Sequence, residues 1–219
     1  MMPRIKICCI GSVAEASLAI AHGASALGLV SEMPSGPGVI PDELIAAIAA
    51  TVPKFIGTFL LTSRIEAAPI IEQIRACGTN TVQLVDAVPE AVYQDIRRQL
   101  PEIRIVQVVH VTGDGAIEEA MHLSTQVDAL LLDSGNPTLA VKELGGTGRV
   151  HDWERSRRIV ESVKCPVFLA GGLNAGNILE AVRKVQPYGV DICSGVRTDD
   201  RLDPVKLTDF FAAIRRMAS

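Results

Sequence analysis

Short runs of β-branched and apolar residues alternate with longer stretches in which apolar residues recur every three to four positions, and the alternation persists from one end of the chain to the other. A continuous apolar run of four to eight residues fits a strand covered on both faces, and a 3.6-residue period fits an amphipathic helix. The pattern predicts strands at 4–10, 26–30, 54–61, 80–85, 103–111, 127–133, 166–170 and 189–194. It predicts helices at 13–23, 41–51, 64–76, 87–99, 115–124, 152–163, 175–185 and 204–217. Eight such units in 219 residues allow about 27 residues each, close to the minimum for a parallel strand and its crossover helix. No proline- or serine-rich linker divides the series, so residues 1–219 are expected to form one domain. A single closed (β/α)8 TIM barrel, of the α/β class, is favoured over an open doubly wound sheet, because no strand is followed by a G-x-G-x-x-G fingerprint.

In such a barrel, function belongs where the βα loops meet at the C-terminal ends of the strands. On strand 1, side chains alternate between faces, so Arg4, Lys6 and Cys8 share one and Ile5, Ile7 and Cys9 the other. The apolar face should meet the helices. That turns Lys6 and Cys8 into the barrel, with Cys8 at the catalytic rim and Cys9 outward in a packing role. Strand 8 closes against strand 1, and Asp191 has the parity to pair with Lys6 inside, where an unpaired lysine would be costly. Position alone leaves Cys8 readable as a small buried hydrophobe or as a catalytic group.

Strand 6 is an apolar run that ends in Asp133. A helix N-cap is the bland reading of that aspartate. Against it, no helical pattern begins there; a long loop follows, through Gly145-Gly146-Thr147-Gly148. Glycine-bearing turns also follow strands 7 and 8, as Gly171-Gly172-Leu173-Asn174 and Ser194-Gly195. Small residues at those two turns let backbone N–H groups approach an anion, which points to a phosphorylated small-molecule substrate.

Charge and cysteine usage narrow the classes. With 21 Lys+Arg against 25 Asp+Glu the net charge is −4, and there is no basic block of the kind that neutralises nucleic-acid phosphates. A hydrophobic content of 48% excludes a disordered chain. Five cysteines without C-x-x-C spacing, and four histidines far apart in sequence, suit free thiols better than disulfides or a local metal site. Gly11, Ser12, Glu15 and His22 interrupt the apolar N-terminal stretch, so neither a signal peptide nor a membrane span is expected, and the chain reads as cytoplasmic and complete. Monomer and homodimer both remain open.

Seven fragments in register resemble the phosphoribosylanthranilate isomerase family. They are Lys6-Ile7-Cys8, Gly23-Ala24-Ser25-Ala26-Leu27-Gly28, Val82-Gln83-Leu84 and Leu131-Leu132-Asp133-Ser134, then Gly145 to Trp153, Leu169 to Asn174, and Tyr188 to Val196. The resemblance implies an Amadori rearrangement of N-(5-phosphoribosyl)anthranilate in tryptophan biosynthesis, without metal or cofactor. It places the general base on Cys8 and the general acid on Asp133, with Lys6, Asp191 and Gln83 in support. Phosphate contacts would come from Gly146, Gly171, Gly172, Leu173, Asn174, Ser194 and Gly195.

Three departures fall in the half of the site that would face the aromatic ring. The family's Ser-Pro-Arg segment after strand 2, whose arginine holds the anthranilate carboxylate, is Pro34-Ser35-Gly36-Pro37-Gly38 here. Its Gln-Leu-His-Gly after strand 4 is Gln83-Leu84-Val85-Asp86, and the glycine after the catalytic cysteine is Cys9. Loss of the carboxylate anchor should weaken binding by roughly 1.5–3 kcal/mol. Arg64 either substitutes for it or begins a solvated helix. Beside the isomerase stand two further readings: an enzyme for another phosphorylated aminosugar, and a non-catalytic barrel that binds a phosphorylated ligand.

Overall fold

A computed structural model of the protein describes residues 2–113, 115–135 and 152–217. Eight parallel strands close into a barrel in sequence order: β1 (Arg4–Ile7), β2 (Ala26–Val30), β3 (Gly57–Thr62), β4 (Thr81–Leu84), β5 (Arg104–His110), β6 (Ala129–Asp133), β7 (Val167–Leu169) and β8 (Gly189–Ile192). The helices between and after them are α1 (Val13–His22), α2 (Asp42–Thr51), α3 (Ala67–Cys77), α4 (Glu90–Gln99), α5 (Gly115–Leu123), α6 (Trp153–Ser162), α7 (Ile178–Val185) and α8 (Pro204–Arg215). Each falls on its predicted stretch, with ends moved by a few residues.

Local signals set the helix ends. Ser12 caps α1 by accepting the Glu15 N–H at 3.1 Å, and Gly23, left-handed at φ 111°, closes it. Asp152 and Asp203 cap α6 and α8 in the same way, the latter with Pro204 in the first turn. The strands then sort their side chains by parity. On β6, Leu130 and Leu132 face the helices, whereas Ala129 and Leu131 join Phe59, Leu61, Val106, Val108 and Phe168 inside the barrel. Two layers of apolar burial result, one between sheet and helices and one inside the barrel, and polar side chains that face inward gather at the C-terminal rim.

Between β8 and α8 the chain makes a feature that the hydrophobic pattern does not announce. A short 3-10 turn, Ser194–Val196, leads into an antiparallel hairpin of two-residue strands, β9 (Arg197–Thr198) and β10 (Arg201–Leu202), turned by Asp199 and Asp200 at φ 47° and 58°. Among the described residues no helix is long and apolar enough to cross a membrane.

Candidate active site

The C-terminal rim encloses a cleft of about 700 Å³, a figure that includes the open solvent at its mouth. Cys8, Gln83, Asp133 and Asp191 form its floor, Gly171, Gly172, Leu173 and Ser194 one wall, and the loop from Met33 to Pro37 the facing wall. β1, β4, β6 and β8 therefore each deliver one polar side chain to a common space, as their parity requires.

Lys6 is fully buried beneath this floor, its Nζ 2.8 Å from Asp191 Oδ2 and 3.5 Å from Cys8 Sγ. The β1–β8 register pairs Lys6 directly with Asp191, the partner that strand parity selects. Burial alone would lower the Lys6 ammonium's pKa, but the Asp191 carboxylate and Cys8 outweigh it and hold the group charged. The Asp191 carboxyl is itself pushed upward by burial, which Lys6 only partly offsets.

The two candidate catalytic groups are shifted in opposite directions. The Cys8 thiol is held below its ordinary value, first by a hydrogen bond from the Cys9 thiol and then, against burial, by the Lys6 ammonium. Burial pushes the Asp133 carboxyl up, opposed in part by the hydrogen bond from the Ser134 N–H, 2.7 Å from Oδ1. That contact stays within the turn and caps no helix among the described residues. A thiol eased toward thiolate and a carboxyl eased toward its acid form are what proton abstraction and proton donation require.

Gly28 makes room for this arrangement. A Cβ there would lie 2.6 Å from Cys8 Sγ and 3.0 Å from Lys6 Nζ, so only glycine leaves β2 clear of both. A glycine inside a strand pattern is the sequence signal for such a close approach. Gln83 Oε1 and Asp191 Oδ1 are buried without a hydrogen-bond partner among the described residues, leaving two acceptors at the cavity floor.

On the wall formed after β7, Gly171 and Gly172 take φ 83° and 64° in succession and turn the chain sharply. Asn177 Nδ2 and Asn174 Nδ2 donate to the Gly172 carbonyl at 3.0 and 3.3 Å, which engages that oxygen on the α7 side. Asn174 thus holds its own loop and does not line the cavity. Nor does Gly195; a Cβ there would lie 2.0 Å from the Leu173 carbonyl, so it serves the contact between the two loops. Gly146 lies outside the described residues.

One expectation needs correction. Cys9 does not point outward: its φ of 62° breaks the strand alternation and turns it to the cavity rim, against the thiol of Cys193. Of the two readings of Arg64 the structure supports the solvated one: it is no part of the cavity wall, lies exposed in the segment between β3 and α3, and its Nη1 donates to the Pro69 carbonyl at 3.2 Å. Sequence reasoning also passed over His110, opposite Asp133 in the β5–β6 register, whose Nε2 donates to the Val85 carbonyl at 3.2 Å.

A closed (β/α)8 barrel with acid–base groups gathered at its C-terminal rim defines the class, a barrel enzyme. The chain matches the family described as N-(5'phosphoribosyl)anthranilate (PRA) isomerase over residues 5–213. It is 32% identical over 215 residues to the N-(5'-phosphoribosyl)anthranilate isomerase of Methanocella arvoryzae, covering 98% of this chain and 99% of that one. The crystal structure of phosphoribosyl anthranilate isomerase from Thermotoga maritima aligns with a TM-score of 0.84 at 26% identity, over 98% of this chain and 100% of that one. A phosphoribosyl anthranilate isomerase in complex with reduced 1-(o-carboxyphenylamino)-1-deoxyribulose 5-phosphate shares the fold with a TM-score of 0.81 at 24% identity, over 98% and 100% of the two chains. The chain belongs to the N-(5'-phosphoribosyl)anthranilate isomerase family, enzymes of tryptophan biosynthesis. Of the three functions left open by the sequence, these relationships favour the isomerase and neither alternative.

Proposed function

We propose that Cys8 and Asp133 are the base and the acid with which this chain isomerises N-(5'-phosphoribosyl)anthranilate to 1-(2-carboxyphenylamino)-1-deoxyribulose 5-phosphate. The observation that carries the assignment is their placement: both line one cavity, with the thiol eased downward and the carboxyl upward. Asp133 protonates the furanose ring oxygen, the C1–O bond opens, and the anthranilate nitrogen becomes a protonated Schiff base. Cys8, as thiolate, removes the C2 proton, and that electron pair moves to form the C1–C2 double bond of an enolamine. Tautomerisation gives the ketone.

Lys6 steadies the thiolate and is itself neutralised by Asp191, so no net charge is buried beneath the floor. The unpaired Gln83 Oε1 and Asp191 Oδ1 are placed to accept ribose hydroxyls. Gly171, Gly172, Leu173 and Ser194 form the wall that would receive the phosphate. With a chain charge of −4 there is no generally basic surface to collect an anion, so the grip must be local. The aromatic half would lie against the apolar wall of Val30, Met33, Leu61 and Val85.

The test is to generate phosphoribosylanthranilate in situ and follow the loss of its fluorescence. Folded protein should turn it over, and Cys8→Ala and Asp133→Asn should each lose about 10²–10⁴-fold, the worth of an acid–base group. Full activity in either variant overturns that residue's role.

A further inference from the structure

Cys9 follows the catalytic-site cysteine and sits at φ 62°, a left-handed conformation that side-chain-bearing residues rarely adopt. Something outside the turn must hold it there. Nη2 of Arg197, on β9, donates to the Cys9 carbonyl and, at 2.8 Å, to Glu15 Oε2. Its Nη1 donates to the Asp200 carbonyl at 2.7 Å, which anchors the guanidinium in its own hairpin. Glu15 completes the clamp by accepting the Gly11 N–H at 2.9 Å and the Leu202 N–H at 2.9 Å. The ion pair is largely buried, with side chains 8% and 17% exposed. It therefore grips the Cys9–Gly11 turn on both sides and ties it to β9 and β10. Arg197 does not line the cavity, so it does not reach substrate and can act only through the turn.

We propose that Arg197, braced by Glu15, is a positioning residue that holds Cys9 left-handed and thereby aims the Cys8 thiol into the cavity. The inference rests on Cys8 being the base. If Cys9 relaxed to an ordinary φ, the preceding peptide would turn with it, and misplacement of a reacting group by about 1 Å can cost 10²-fold in rate. Glycine adopts φ near +60° without strain and would hold the same turn unaided. Cysteine at position 9 and arginine at position 197 form one device in this chain: the first creates a strain that the second restrains.

A double-mutant cycle in steady-state kinetics tests this, comparing the native chain, Arg197→Met, Cys9→Gly and Cys9→Gly/Arg197→Met. Expected is a fall of tenfold or more in kcat for Arg197→Met with KM within about threefold, whereas the same change made on top of Cys9→Gly costs less than threefold. Should Arg197→Met fail to fold while the double variant folds and turns over, the glycine rescue supports the proposal equally. A double variant that is unfolded, or that loses as much as the single, overturns it. So does an Arg197→Met protein with full kcat, or one whose defect lies in KM alone. Cys8→Ala is run beside them. If it stays active, the base assignment fails; if it is dead while Arg197→Met is fully active, only the positioning role fails.

Discussion

Gly28 on β2 stands so close to Cys8 at the end of β1 that a methyl group on its Cα would lie 2.6 Å from the thiol sulfur. The same methyl would lie 3.0 Å from Lys6 Nζ. Gly28→Ala must therefore displace the sulfur and the ammonium that steadies it. Overpacking of this kind costs about 1–3 kcal/mol in stability. The larger effect is expected in catalysis, a fall of at least tenfold in kcat at a temperature where circular dichroism shows the variant folded. Unchanged kcat would mean that the thiol has more freedom than its neighbours leave it.

Asp133 carries a stability cost that its proposed role requires. Its pKa is raised in the folded chain by burial, so the folded state binds a proton more tightly than the unfolded state does. The stability tied to that proton is complete below the ordinary carboxylate value and is lost as pH rises through the raised one. Asp133→Asn keeps an oxygen for the Ser134 N–H and removes the titration. Its melting temperature should exceed the native one at pH 8, on the order of 2–4 °C for each kcal/mol released, and the gap should close toward pH 4. A gap that widens on acidification would show that Asp133 is stabilised as the carboxylate.

Turnover requires the thiolate of Cys8 and the acid form of Asp133 together. Below the thiol's lowered pKa the base is protonated, and above the carboxyl's raised pKa the acid is lost. The pH profile of kcat/KM should therefore be bell-shaped, falling on both sides of the range in which the two forms coexist. A profile that climbs steadily to pH 9 is incompatible with Asp133 as proton donor.

The fold was legible because a two-residue period and a 3.6-residue period each carry one meaning. On β6, Leu130 and Leu132 are covered by helices and Leu131 and Asp133 face inward, as alternation requires. The same parity brought Lys6 to Asp191 across the closing seam. It failed three residues after Lys6, at Cys9, where a positive φ ends the strand's geometry and no apolar pattern records the change. Glu15 and Arg197 were illegible for another reason: they are 182 residues apart, and Glu15 reads locally as an acidic residue in the first turn of α1. β9 and β10, at two residues each, are too short for any periodicity to show.

Arg64 tests the absent carboxylate anchor. Its guanidinium is exposed and bonded to the first turn of the following helix, α3, away from the cavity. Arg64→Ala should leave KM for phosphoribosylanthranilate within twofold of the native value. A tenfold rise would place the guanidinium on the substrate and require the chain after β3 to close over the cavity.

The Lys6–Asp191 pair separates the cost of burying charge from the use made of it. Asp191→Ala leaves an ammonium fully buried without its carboxylate, and breaking a buried pair in this way costs about 3–5 kcal/mol in urea unfolding. Lys6→Met/Asp191→Leu removes both charges and fills the space with apolar atoms, so most of that stability should return. Activity should not return, because Cys8 would then lack the cation 3.5 Å from its sulfur. Its thiol would titrate higher, and the limb of the kcat/KM profile that reports the thiol would move to higher pH. A double variant that is both stable and fully active would show that the ion pair serves packing alone.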